Sequence, residues 1–209
     1  MVTAVVLGLA THQHTNGRIV TEIETSVVKP KTPIFKVIVA GEGGVGKTSI
    51  IQRYILEYST TPTMTVGSEF AYQELEVKNQ KVGLSIWDFG GEERFRELMP
   101  VFCLGAHGAF IVFDLNRFST FLQLEFWIEV IRGSAGDIPV ILVGAKADLE
   151  GGPSDEEIHN FCQRNNIQAY FPVSARTGEN VDQLFSYLAE KMLHATDEGR
   201  LIPAYCLNV

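Results

Sequence analysis

The chain has 209 residues, a net charge of −8 and a pI near 5.1, with its 17 Lys and Arg scattered along the sequence. That length suits one domain with extensions and a core that needs no disulfide or metal staple. The charge excludes an extended nucleic-acid surface, which needs a basic stripe, and Cys103, Cys162 and Cys206 are too far apart for ligand spacing and cannot all pair, which points to a reducing compartment.

Residues 1–10 are apolar but lack a preceding positive charge and are too short to span a bilayer, so they read as neither signal nor anchor. No other run reaches transmembrane length. Residues 2–9 and 18–23 are β-prone, and Asn16-Gly17 between them is a hairpin turn signal. An added hairpin and a mobile arm both fit residues 1–33, because Lys29-Pro30-Lys31-Thr32-Pro33 reads as a linker. His12 and His14, in a polar stretch, read as solvated rather than metal-bound.

From residue 34 strand and helix signals alternate, which predicts an α/β fold with a mostly parallel sheet covered on both faces. Residues 35–40 are the first strand and residues 47–56 the first helix. Between them, Gly41-Glu42-Gly43-Gly44-Val45-Gly46-Lys47-Thr48 fits a phosphate-binding loop. Glycine lets the backbone wrap close enough for successive N–H groups to converge on an anion. The lysine adds a charge at the outer phosphates, the hydroxyl can ligate Mg²⁺, and the helix that follows contributes its positive end. This stretch binds a nucleoside phosphate.

Residues 58–67 show neither period and read as a loop; residues 69–77 and 81–87, joined through Lys78-Asn79-Gln80, read as an antiparallel hairpin. Residues 88–91 lead into an amphipathic helix carrying Phe95, Leu98 and Met99. Next come a buried strand at 109–113, a helix at 120–131 with Leu124, Trp127, Ile128 and Ile131 on one side, and a strand at 139–144. Ser154 and Glu157 spell a capping box for a helix that turns Ile158, Phe161 and Cys162 inward. The last strand is 168–173 and the last helix 181–193, with Leu184, Phe185 and Leu188 as its stripe.

A phosphate loop needs a carboxylate for Mg²⁺ at the end of a hydrophobic strand. Asp88 and Asp114 both qualify by position. Asp88 runs into Phe89-Gly90-Gly91-Glu92, where a glycine N–H and a polar side chain can sense a terminal phosphate, whereas Asp114 runs into Leu115-Asn116-Arg117 with no such pair. Asp88 is therefore the candidate ligand.

Gly41 to Thr48, Thr65-Val66-Gly67, Trp87-Asp88-Phe89-Gly90-Gly91-Glu92, Val143-Gly144-Ala145-Lys146-Ala147-Asp148-Leu149 and Ser174-Ala175-Arg176-Thr177-Gly178-Glu179-Asn180 follow the order and spacing of Ras-superfamily small GTPases, resembling the Rab and Ras branches most. The resemblance covers residues 34–194 and leaves 195–209 as a C-terminal tail. It implies a P-loop NTPase fold, a six-stranded mostly parallel sheet with five flanking helices, GTP/GDP and Mg²⁺ as ligands, and GTP hydrolysis that toggles loops 58–67 and 88–99. Glu92 and the lack of an arginine in 58–67 are expected to keep that hydrolysis slow. Effector proteins would read those loops, with GTPase-activating and exchange factors as further partners, in signalling or vesicle trafficking. The chain is expected to act as a cytoplasmic monomer, with attachment to a membrane periphery left open.

Residue by residue, the resemblance gives Lys47 the β- and γ-phosphates, Thr48 and Thr65 to Mg²⁺ directly, and Asp88 to Mg²⁺ through water. Gly91 would contact the γ-phosphate through its N–H. Asp148 would accept two hydrogen bonds from guanine, Lys146 would lie along one face of the base, Tyr58 over the other, and the Ala175 N–H would reach the guanine carbonyl. Ser49, Ser174 and Arg176 complete the nucleotide set, and Glu92, Gly91 and Lys47 the catalytic one.

Three departures bear on chemistry. Ala145 stands where the family has an asparagine or threonine that contacts the base, a loss that costs ~1 to 3 kcal/mol unless something substitutes. Phe89 and Gly90 replace a small threonine and alanine. Glu92 replaces the glutamine that orients the attacking water; a carboxylate accepts from that water but cannot donate to the transition state. No arginine lies between residues 58 and 67, and Arg94 and Arg96 read as surface residues. Cys206-Leu207-Asn208-Val209 only superficially resembles a prenylation box, since Asn208 is not aliphatic and no polybasic run precedes it. The competing reading is a guanine-nucleotide-binding interaction module with little or no hydrolysis.

Overall fold

The computed structural model describes residues 32–56, 68–91 and 97–205, and between residues 1 and 31 the backbone of four short strands. Two compact units are distinguished, residues 1–31 with 207–209, and residues 32–206. In the first, β2 (Thr11–Thr15) and β3 (Arg18–Glu22) pair antiparallel with Thr15 opposite Arg18, and β1 (Val5–Leu7) pairs with β4 (Thr25–Val27). The strand that pairs with β3 is the polar stretch Thr11–Thr15 rather than the apolar residues before it, and the expected turn at Asn16-Gly17 lies outside the described residues.

The second unit is built on β5 (Pro33–Ala40), which is followed by α1 (Lys47–Leu56), the hairpin β6 (Ser68–Val77) and β7 (Gln80–Phe89), and α2 (Met99–Cys103). Then come β8 (Gly108–Asp114), α3 (Ser119–Leu122), α4 (Leu124–Ala135), β9 (Val140–Ala145), α5 (Asp155–Arg164), β10 (Ala169–Val173), α6 (Val181–Asp197) and β11 (Ala204–Tyr205). The sheet order is β10-β9-β8-β5-β7-β6, parallel except at β6, with β11 added antiparallel to the start of β5. The six-stranded expectation holds, with the two-residue β11 as a seventh.

Central β5 is buried on both sides, as a strand covered by helices must be. Phe35, Val37 and Val39 join the core that α1 and α6 cover, whereas Ile38 and Ala40 join the core of Trp127, Ile128 and Phe161. The β6–β7 turn has two residues, Lys78 (φ 51°) and Asn79 (φ 63°), whose positive φ at both central positions suits the twist of a hairpin. Of the helix expected to carry Phe95, Leu98 and Met99, the part before residue 97 lies outside the described residues; α2 begins at Met99, with Pro100 in its first turn, where proline lacks no needed partner. The helix expected at 120–131 is two, meeting at Gln123. The Ser154–Glu157 capping box forms in both directions.

α6 stops at Asp197, and Gly199 (φ 74°) takes the left-handed conformation that reverses a chain after a helix. The reversal carries Leu201 onto the core and β11 onto Pro33 and Ile34. His107 fastens this segment. Its Nδ1 accepts the Lys36 N–H (2.9 Å), so the neutral ring carries its proton on Nε2, which donates to the Ile202 carbonyl (3.0 Å). Burial, aided by the Lys36 charge and opposed by the Ile202 bond, holds His107 below the ordinary histidine range. The fastening therefore contributes fully above the unfolded value of about 6.5 and fades as pH falls through the folded one. His107→Ala is expected to cost about 1–2 kcal/mol in urea unfolding at pH 7.5 and clearly less at pH 5. Equal costs at both values would show that the neutral ring does not hold the segment.

Candidate functional site

The chain runs from β5 to β6 and β7 on one side of β5, then to β8, β9 and β10 on the other. Ligands of open α/β sheets settle outside the carboxyl ends of the strands where the order reverses. The end of β5 is that point, and residues 41–46 follow it. Gly41 (φ 141°) admits no side chain, since a Cβ would lie 2.1 Å from the Val112 carbonyl oxygen. Lys47 opens α1 and folds back over the loop, donating to the Gly41 and Glu42 carbonyls, both at 2.8 Å. Burial pushes its ammonium down to about 8, against the pull of Asp88 and Glu42.

Asp88, near the end of β7, is buried and accepts the Thr48 hydroxyl. A hydroxyl and a carboxylate beside a phosphate loop form an oxygen-only donor set, which suits Mg²⁺ rather than a softer metal. Among the described residues no three His, Cys, Asp or Glu gather as an alternative metal site. Gly91 lies against the loop: a Cβ there would sit 2.3 Å from the Gly41 oxygen and 2.4 Å from the Gly43 nitrogen.

Beside the loop opens a cavity of about 460 Å³. Its wall brings together Gly46 and Ser49 with Ala145, Lys146 and Asp148 from the end of β9, and Ala175 and Arg176 from the end of β10. Asp148 Oδ1 accepts the Ser174 hydroxyl (2.7 Å), and Arg176 Nη1 lies 3.6 Å from Oδ2. The Ser174 bond, with help from Arg176, holds the Asp148 carboxyl below its usual range. Ser174 is fully buried and its oxygen also accepts the Thr177 N–H, so its proton is committed to Asp148. Lys146, in the left-handed region (φ 63°), pairs with Asp114 at 2.6 Å.

Gly43, Gly44, Val45, Gly46, Lys47, Thr48, Asp88 and Gly91 thus gather at the end of β5 and β7. Ser49, Lys146, Asp148, Ser174, Ala175 and Arg176 gather around the adjoining cavity. Tyr58, Thr65 and Glu92 lie outside the described residues, as do Phe95, Arg94, Arg96 and Cys206. Three contributors were not legible as such. Asp114 anchors Lys146, Arg117 donates to the Gly43 carbonyl (2.6 Å), and the Trp127 indole donates to Glu42 (3.2 Å). Each acts across more than 30 positions of sequence, a separation over which no local motif gives a signal.

Residues 36–194 match the family described as the Ras family. The chain belongs to the Ras family. It is 34% identical to the GTP-binding protein YPT53 of Saccharomyces cerevisiae over 171 residues, 77% of each chain. With the Ras-related protein RABG3a of Arabidopsis thaliana it shares 36% over 170 residues, covering 77% of this chain and 82% of the other. With the Ras-related protein Rab-5B of Plasmodium falciparum it shares 35% over 161 residues, covering 75% and 77%. Within the Ras superfamily this small GTPase is Rab-like. Among the described residues of this Ras-family chain, no helix is long and apolar enough to cross a membrane.

Proposed function

We propose that the chain is a Mg²⁺-dependent GTP switch that hydrolyses GTP slowly and presents loops 58–67 and 88–99 to effector proteins, consistent with the Rab-like sequence in a role in vesicle trafficking. The observation that carries the reading is the cavity that joins Gly46 and Ser49 to Lys146, Asp148, Ala175 and Arg176, a phosphate loop sharing one wall with a carboxylate suited to a base. Guanine offers a ring N–H and an exocyclic amine side by side. A carboxylate accepts both, and adenine lacks the pair.

In this reading Lys47 exchanges its carbonyl partners for the β- and γ-phosphates, an easy trade because those carbonyls are weaker acceptors than a phosphate. Thr48, Asp88 and Thr65 would hold Mg²⁺, which neutralises charge on the phosphate oxygens when bound. Gly91 turns its N–H to the γ-phosphate from its place against the loop, so that losing this phosphate frees the segment that follows. Lys146 flanks the base and Tyr58 covers it. Ala145, buried beside Gly46, brings no side-chain hydrogen bond to the base; the Lys146–Asp114 pair supplies a tie between the β8 and β9 ends instead.

Glu92 sets the chemistry. Single-turnover phosphate release from GTP-loaded protein with Mg²⁺ is expected to be slow, and Glu92→Gln is expected to raise it about tenfold by restoring one donor to the transition state. A wild-type rate equal to or above that of the variant would overturn the role given to Glu92. GTP that binds yet survives intact in both proteins would favour the guanine-nucleotide-binding module instead.

A further inference from the structure

Arg117 lies just beyond β8, remote in sequence from every motif above. Its backbone is fixed: its N–H donates to the Asp114 carbonyl (2.9 Å), and its own carbonyl accepts the Thr120 N–H (2.9 Å) and hydroxyl (2.7 Å). Its Nε stands 4.0 Å from Asp114 Oδ2, which aims the guanidinium, and its Nη2 donates to the Gly43 carbonyl at 2.6 Å. The charge is close enough to Lys47 to push that ammonium down.

We propose that Arg117 is a positioning residue that orients and polarises the Gly43–Gly44 peptide for cleavage of GTP, an inference that rests on the function proposed above. The described peptides are all trans, so the Gly44 N–H points opposite to the Gly43 carbonyl and away from Arg117. A guanidinium on the oxygen draws electrons through the amide and makes that N–H a stronger donor. In hydrolysis the water oxygen bonds to the γ-phosphorus while the bond from that phosphorus to the β–γ bridging oxygen breaks. The electron pair stays on the bridging oxygen and the water proton leaves with the released phosphate. Charge therefore grows on the GDP side, where a fixed, strengthened N–H is worth more in the transition state than in the bound substrate. Arg117 supplies in cis, through a peptide, part of what Glu92 cannot donate.

The test compares Arg117→Ala and Arg117→Lys with wild type in GTP single turnover, GDP dissociation and the amide signal of ¹⁵N-labelled Gly44 with GDP bound. Arg117→Ala is expected to slow cleavage about tenfold with GDP dissociation changed less than about twofold. Arg117→Lys, which can still donate to the carbonyl, should recover part of the rate, and the Gly44 signal should move in the Ala variant and partly return in the Lys variant. A residue that merely braced the loop would change GDP dissociation and leave bound GTP cleaving at the wild-type rate, and that result overturns the proposal. If wild-type protein does not cleave GTP, the function proposed above fails by itself; an unmoved Gly44 signal in Arg117→Ala then overturns the positioning role as well.

Discussion

Gly91→Ala is expected to slow single-turnover GTP cleavage about a hundredfold and to lower the melting temperature of the protein. The cause is space. A Cβ on Gly91 would meet three backbone atoms of the phosphate loop, the Gly41 oxygen and Glu42 carbon at 2.3 Å and the Gly43 nitrogen at 2.4 Å. None belongs to a flexible side chain that could step aside. The Gly41 oxygen is also one of the two carbonyls that hold Lys47, so displacing it disturbs the lysine. Overpacking at a rigid contact costs about 1–3 kcal/mol, and a hundredfold in rate corresponds to about 2.7 kcal/mol. The effect should fall on cleavage more than on base recognition, because the cavity that holds Asp148 and Ala175 is lined by Gly46 and Ser49 and not by Gly41, Glu42 or Gly43, which Gly91 meets. An Ala variant that cleaves GTP and melts like wild type would show that Gly91 does not work from this contact.

The gathering of the phosphate-loop motif and Asp88 at the strand ends was legible because each is a short run whose residue types and spacing give a local signal, and that of Lys146 and Asp148 was legible through the resemblance to the Ras superfamily. The two-faced burial of β5 was legible in the apolar run Val37 to Ala40 that follows Lys36. Arg117 was not: the stretch after Asp114 reads as lacking a phosphate sensor, and only the adjacency of β8 to β5 brings its guanidinium to Gly43. Asp114 was judged on its own neighbours in sequence, while its work is done on Lys146, 32 positions away. For the docking of residues 201–205 the sequence reading offers only the apolar run Leu201-Ile202-Pro203-Ala204-Tyr205, which says that it packs and not where. The determinants of that docking are Gly199 as the residue that ends α6 and His107 as an acceptor on the edge of β5, one a local signal passed over and the other tertiary. The boundary of α2 was decided by Pro100, which favours the first turn of a helix over its middle.

Asp148→Asn is expected to lower GTP affinity by a hundredfold or more and to invert the preference between GTP and XTP. In the wild type Ser174 donates to Oδ1, and its oxygen is engaged by the Thr177 N–H, so this serine presents only a donor to residue 148. An asparagine must then turn its carbonyl toward Ser174 and its NH₂ outward. That NH₂ replaces the oxygen facing Arg176 and meets the exocyclic amine of guanine donor to donor. One charge-assisted hydrogen bond is lost, worth about 1.5–3 kcal/mol, and the remaining amine is left unpaired at about 1–3 kcal/mol more, a range of about 2.5–6 kcal/mol that begins near the roughly 2.7 kcal/mol of a hundredfold change. Xanthine carries a carbonyl where guanine carries that amine, beside the same ring N–H, and matches the outward NH₂. Competition of GTP, XTP and ATP against a fluorescent nucleotide on both proteins decides the matter. ATP should compete poorly with either, since adenine offers neither pattern. GTP affinity retained within about threefold in the variant would mean that Asp148 does not hold the base, and the cavity beside Gly46 would lose its assignment to guanine.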